Sequence, residues 1–178
     1  MRRVLLDADA VLRTLRRIAH EVHERSAGDA PPLLVGIRTG GAFLAERLGR
    51  LLGEIDGRPI PVGALDITLY RDDVFHGLPR PEVGPTQLPG SIEGRRIVLV
   101  DDVLYTGRTV RAALEELVEF GRPEAVQLCV LVDRGHRELP IQPDYVGLTV
   151  QTTRDESVRV MLAERGEVDS VVLRERPR

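Results

Sequence analysis

Two adjacent carboxylates, Asp101 and Asp102, stand between an apolar run, Ile97 to Val100, and a turn of hydroxyl-bearing and small residues, Thr106-Gly107-Arg108-Thr109. The turn opens a segment with helical spacing, Val110 to Val118, so its backbone N–H groups and hydroxyls converge at the positive end of a helix. That is a cradle for phosphate. Carboxylates repel phosphate, so the acid pair suits a different ligand group, either a sugar diol that donates hydrogen bonds to it or a cation held beside the phosphate. Taken singly, an acid pair can simply end a strand and Thr106 can simply cap a helix. Together, at this spacing, they point to a phosphorylated sugar.

A second cradle of the same design precedes it. Leu33 to Ile37 is an apolar run ending in Arg38-Thr39-Gly40-Gly41, and Ala42, Phe43, Ala45, Leu48, Leu51 and Leu52 then mark a helix. Glycines let backbone approach an anion closely, and Arg38 adds a planar donor suited to phosphate oxygens.

The elements that must hold these loops follow from the hydrophobic pattern. Runs without polar alternation, such as Ile97 to Val100 and Ala125 to Val132, suit strands covered on both faces, as in a parallel sheet. Ligands of such sheets bind at the carboxyl edge, where both cradles fall. The expected fold is α/β, a single domain over residues 1–178 with a central, mainly parallel sheet flanked by helices. A further strand is expected over 60–70, with Asp66, Thr68 and Tyr70 on one face. Shorter strands at 145–151, 158–162 and 168–174 form a strand-rich final third covering the site edge. Between 71 and 94 lies a proline-bearing stretch without periodicity (Pro79, Pro81, Pro85, Pro89), the signature of a lid.

The first helix is expected to run from a cap at Asp7 or Asp9 to about Arg25. Leu12, Leu15, Ile18, Ala19 and Val22 are placed inward, and Arg13, Arg16, Arg17 and His20 on the opposite face. A solvated polar face is the ordinary reading of such a stripe. This one contains no acid, which keeps a polyanion surface open.

The chain has 178 residues, 42% apolar and 30% charged, with a net charge of -3, so no global basic field announces nucleic acid. Lysine, asparagine and tryptophan are absent, which excludes P-loop, Schiff-base and general-acid lysine chemistry. The lone Cys129 lies in an apolar run and reads as a core residue. With no internal disulfide, no signal-peptide pattern and no stretch long enough to span a membrane, a cytoplasmic protein is expected.

Val98 to Val110 resembles the phosphoribosyl-pyrophosphate (PRPP) signature of type I phosphoribosyltransferases. Three segments, Asp66 to Asp73, Val103 to Thr109 and Val132 to Pro140, resemble the PyrR family of bifunctional pyrimidine-operon regulators and uracil phosphoribosyltransferases, and the likeness covers nearly the whole chain. The resemblance implies a hood drawn largely from 133–170 and the reaction of uracil with PRPP to give uridine monophosphate (UMP) and diphosphate, with Mg²⁺ carried by PRPP and no certain protein metal ligand. Asp101 and Asp102 would hold the ribose hydroxyls, Thr106, Gly107, Arg108 and Thr109 would wrap the 5'-phosphate, and Val103, Leu104 and Tyr105 would belong to the same PRPP- and nucleotide-binding run. Arg38, Thr39, Gly40 and Gly41 would take the diphosphate, with Arg38, Asp101 and Asp102 as the catalytic set. Val132, Asp133, Arg134 and the chain near Val158 would border the base. The family also implies UMP-dependent binding of an operon leader RNA hairpin, with Arg13, Arg16, Arg17, His20 and Arg137 as candidates, and a homodimer or higher oligomer. The alternative is a purely metabolic uracil or purine phosphoribosyltransferase without RNA binding. Departures from the family pattern are local. The diphosphate loop usually reads Thr-Arg-Gly, here Thr39-Gly40-Gly41, and basic residues usual at Gln142 and Leu148 are missing while Arg16 is gained.

Overall fold

The computed structural model describes residues 2–26, 29–68 and 84–175. Among these residues, eight strands and three α-helices follow in the order β1 (Arg2–Leu6), α1 (Ala8–Arg25), β2 (Leu33–Ile37), α2 (Gly40–Asp56), β3 (Val62–Leu65), β4 (Arg96–Leu104), α3 (Arg108–Val118), β5 (Ala125–Asp133), β6 (Tyr145–Thr149), β7 (Glu156–Met161) and β8 (Ser170–Glu175). Five of the strands form one sheet in the order β3-β2-β4-β5-β6, every pair parallel. The chain winds outward from β2 to β3 on one side and from β4 to β6 on the other. The loops leaving β2 and β4 therefore diverge and open a crevice between them at the carboxyl ends of the two strands.

The unbroken apolar runs are explained by the two cores. Val98 and Val100 point to the face covered by α1 and α2, whereas Ile97 and Leu99 point to the face covered by α3. β4 is thus buried on both sides, as its lack of alternation requires. Cys129 belongs to the α1/α2 core, and burial pushes its thiol up to about 12. Asp7 caps α1, accepting from the Ala10 N–H at 2.8 Å. The helix buries Val11, Leu15, Ile18, Ala19 and Val22 and leaves Leu12, expected to face inward, exposed. Val11 takes the inward position, because 11, 15, 18 and 22 make the straighter stripe against the sheet.

Two other expectations are corrected. The strand expected over 60–70 ends at Leu65, because the Asp66 carboxylate turns back to accept from the Thr68 N–H (2.9 Å) and hydroxyl (2.6 Å), a local alternative to the sheet ladder. Tyr145–Thr149 is the edge strand of the central sheet, not part of a hood. The hood is a separate antiparallel sheet, β1-β8-β7, that joins the two ends of the chain. The expected lid at 71–94 lies outside the described residues up to 83. From Gly84 onward the chain returns along β3, with Ala64 and Gln87 exchanging backbone hydrogen bonds at 2.8 Å.

The hood is fastened in two ways. Val160, Leu162 and Val171 enter the α1/α2 core. Arg47 of α2 grips both Glu164 (2.7 and 2.5 Å) and Asp169 (2.5 and 2.9 Å), which flank the hood's β7–β8 turn. The guanidinium hydrogen bonds hold both carboxylates below their ordinary values of 4.5 and 3.8. A carboxylate whose folded pKa is depressed contributes stability that is complete above its unfolded value and is lost as pH falls through the folded one. The protection factors of the β7–β8 amides, in which the chemical exchange rate is divided out, should therefore be high at pH 6 and fall below about pH 4. In Arg47→Gln the protection should be lower at pH 6 and much less dependent on acid. Identical acid profiles for the two proteins would show that the cluster does not hold the hood.

Candidate active site

The crevice between β2 and β4 is a cleft of about 250 Å³ lined by Ile37, Arg38, Thr39 and Gly40, by Asp66, Ile67 and Thr68, by Asp101, Asp102 and Val103, by Thr109, and by Arg165 of the hood. A wider groove of about 880 Å³ runs outside α2 past Gly49, Gly53 and Ile60. It is an open surface concavity away from the strand ends, whereas the cleft gathers the carboxylates, the glycine loop and a helix N-terminus. The cleft is the candidate site.

Its carboxylates are held by their own backbone. Asp101, only 6% exposed, accepts from the Asp102 N–H at 2.9 Å through Oδ1, and Asp102 Oδ1 accepts from the Val103 N–H at 2.8 Å. Asp102 Oδ2 lies against Gly40, where a Cβ would come within 2.4 Å of it. Gly41 is tighter still, since a Cβ there would stand 2.2 Å from the Val100 carbonyl oxygen. The two glycines thus let the first turn of α2 lie directly on the end of β4. This presents N–H groups that no capping side chain occupies, because Thr39 makes no cap bond. The Arg38–Thr39 peptide at the head of this loop is cis.

The second cradle has the same logic. Gly107, at φ 92°, precedes α3 and provides the left-handed turn that aims the helix N-terminus into the crevice. Thr106 Oγ1 accepts from the Arg108 N–H at 3.4 Å, and the Thr106 carbonyl accepts from the N–H groups of Glu138 (2.9 Å) and Leu139 (3.2 Å). Arg108 Nε donates to Glu138 at 2.8 Å. The loop after β5 therefore buttresses the turn at Thr106 to Thr109.

Of the residues singled out in the sequence, Arg38, Thr39, Gly40, Asp101, Asp102, Val103 and Thr109 meet in the cleft. Leu104 and Val132 do not reach it with their side chains, for both are buried in the cores. Asp133 ends β5 and accepts from Gly135 N–H (3.0 Å) and Arg137 Nη2 (2.6 Å). Arg134 is 3% exposed. Its guanidinium donates to the Thr152 hydroxyl and to the Thr153 and Glu156 carbonyls and lies 4.0 Å over the Tyr105 ring, so it ties the hood to the loop after β4. Val158 is half-buried in β7 against the core.

The basic residues also divide. Arg13, Arg16 and His20 are exposed on α1. Arg17 instead pins α1 to the sheet edge through the Val146 and Gly147 carbonyls (3.0 and 2.7 Å) and pairs with Glu21. Arg137, expected with the stripe, is drawn inside: it donates to the Ile141 and Tyr105 carbonyls and to Asp133. Sequence reasoning missed Arg165, which no motif marks, and gave Asp66 and Thr68 no role in the site, although their shared strand face was visible.

The model of the phosphoribosyl transferase domain family matches residues 3–164, which defines the class of protein. Solved structures agree in fold: the hypoxanthine phosphoribosyltransferase of Trypanosoma cruzi superposes with a TM-score of 0.73 at 19% identity, covering 98% of this chain and 97% of that one. At that identity the likeness concerns fold alone. The chain belongs to the PyrR family, being 54% identical over 170 residues to the Bifunctional protein PyrR of Geobacter sp. (strain M21), across 96% of both chains. It is 56% identical to that of Roseiflexus sp. (strain RS-1), across 95% of this chain and 93% of the relative.

Proposed function

We propose that this protein transfers the phosphoribosyl group of PRPP to uracil, releasing diphosphate, and that with UMP bound it regulates a pyrimidine-biosynthesis operon by binding its leader RNA in the cytoplasm. The observation that carries the reading is the likeness to bifunctional PyrR proteins at more than half of positions along nearly the whole chain. The geometry supports a mechanism. Cleavage at the anomeric carbon leaves an oxocarbenium-like centre and a leaving group gaining negative charge, so placed donors matter more than a nucleophile. Thr106 to Thr109 at the α3 N-terminus receive the 5'-phosphate. Thr39 to Gly41 at the α2 N-terminus receive the diphosphate. Asp101 and Asp102 accept from the ribose hydroxyls between them. Among the described residues no cluster of three metal-ligating side chains exists. The cleft does offer hard carboxylate oxygens on Asp66, Asp101 and Asp102, a donor set that suits Mg²⁺ shared with diphosphate, and that ion when bound neutralises charge on the leaving group. A homodimer or higher oligomer belongs to the same reading.

For RNA, the exposed Arg13, Arg16 and His20 of α1 form the contact face. Affinity for the leader hairpin should rise with UMP and fall steeply with salt. Arg13→Ala/Arg16→Ala should weaken it at least tenfold while leaving UMP synthesis at the wild-type rate. Absence of leader binding at low salt with UMP present would refute the regulatory half.

A further inference from the structure

The geometry points to Arg165 as a second cationic ligand for the diphosphate end of PRPP, carried by the hood and aimed by Arg47; this rests on the phosphoribosyltransferase reading. Among the described residues Arg165 is the hood's contribution to the cleft lining. The rest of that lining carries three carboxylates, Asp66, Asp101 and Asp102, and one other cation, Arg38. A leaving group that accumulates negative charge beside three acids requires cationic donors.

Arg38 is substantially occupied. Its Nε and Nη2 donate to the Pro85 carbonyl (3.2 and 3.0 Å), Nη2 also reaches Gln87 Oε1 at 3.4 Å, and Gly84 packs on the guanidinium. The diphosphate loop itself supplies no second cation, because position 40 is glycine. A Cβ there would fall 2.4 Å from Asp102 Oδ2, so any side chain would displace that carboxylate. The charge has to arrive from outside the loop. Arg165 is exposed, and its guanidinium makes no hydrogen bond or ion pair with the described residues.

The segment that carries Arg165 is over-determined in position. It is a 3₁₀ turn, Ala163–Arg165, closed by Gly166 at φ 74°. Leu162 before it is buried at 1% exposure, Ala163 N–H donates to Asp169 Oδ1 at 2.8 Å, and Glu164 and Asp169 both bind Arg47. Arg47 stands on α2, the helix whose first residues are Gly40 and Gly41. One rigid helix thus sets both the N–H cradle and the turn that offers the guanidinium. Arg165 is a ligand in this arrangement, and Arg47 is a positioning residue.

Calorimetric titration with inorganic diphosphate and, separately, with UMP, each with Mg²⁺, tests the assignment on the full chain. Arg165→Ala should weaken diphosphate binding and raise the PRPP KM about ten- to a hundredfold, the range of a lost charge-assisted bond. UMP affinity should stay within about twofold, and Arg165→Lys should fall between the two proteins. Arg47→Gln should weaken diphosphate less than Arg165→Ala does, and adding it to Arg165→Ala should cost nothing more. Wild-type diphosphate affinity in Arg165→Ala, or equal loss of diphosphate and UMP, would overturn the assignment. Additive losses would overturn the role of Arg47. A wild-type protein that binds neither ligand would instead refute the phosphoribosyltransferase reading beneath it.

Discussion

Substitution Asp101→Asn is expected to lower kcat/KM for uracil phosphoribosylation at least tenfold while moving the melting temperature by only a few degrees. The replacement is isosteric. The asparagine Oδ1 can still accept from the Asp102 N–H, the bond that fixes the side chain at the end of β4. What is lost is the charge. A carboxylate bound to a sugar hydroxyl contributes about 1.5–3 kcal/mol, or roughly ten- to a hundredfold in rate if the contact strengthens as the anomeric carbon becomes cationic. The loss should therefore appear in kcat as well as in the PRPP KM. Unchanged kinetics would remove Asp101 from the reaction. A large fall in stability would mean that the charge is structural.

Gly41→Ala should act on the fold instead. Alanine is favoured over glycine in a helix by about 1 kcal/mol. Here, however, its methyl would stand 2.2 Å from the Val100 carbonyl oxygen, a backbone atom that cannot rotate away. Overpacking of this kind costs about 3 kcal/mol, which leaves a net loss of about 2 kcal/mol and a melting temperature lower by roughly 4–8 °C. Gly40→Ala makes the informative contrast. Its clash is with Asp102 Oδ2, the end of a side chain that can swing aside, so stability should fall less while PRPP turnover falls more. If Gly41→Ala proved as stable as the wild type, the close seating of α2 on β4 would be wrong.

Much of the fold and of the cleft is legible in the residues because the relevant physics is local. Ile97 to Val100 announces a strand covered on both faces, and β4 is the central strand of the parallel sheet. The two turn-plus-helix patterns announce anion cradles, and both N-termini flank the crevice. What escapes a linear reading depends on contacts distant in sequence. Residues 4 to 7 read only as a short apolar start, yet β1 (Arg2–Leu6) pairs with β8 at the other end of the chain and completes the hood sheet. Tyr145 to Thr149 looks like part of a hood and is a central-sheet edge, since five residues carry too little pattern to choose a partner. Charged residues are hardest. No sequence pattern marks Arg47, and Arg137 reads as an RNA-binding candidate, but one clamps the hood and the other crosslinks the loops after β4 and β5. Their roles are set by acceptors far along the chain, which periodicity cannot reveal.

If the cleft at the end of β4 is a PRPP site that serves uracil, the choice of base is the most direct test. The protein is incubated with PRPP and Mg²⁺ and, in parallel, uracil, hypoxanthine or guanine, and nucleotide is detected by chromatography. UMP should form from uracil and no nucleotide from either purine. Nucleotide from a purine but none from uracil would contradict a uracil site.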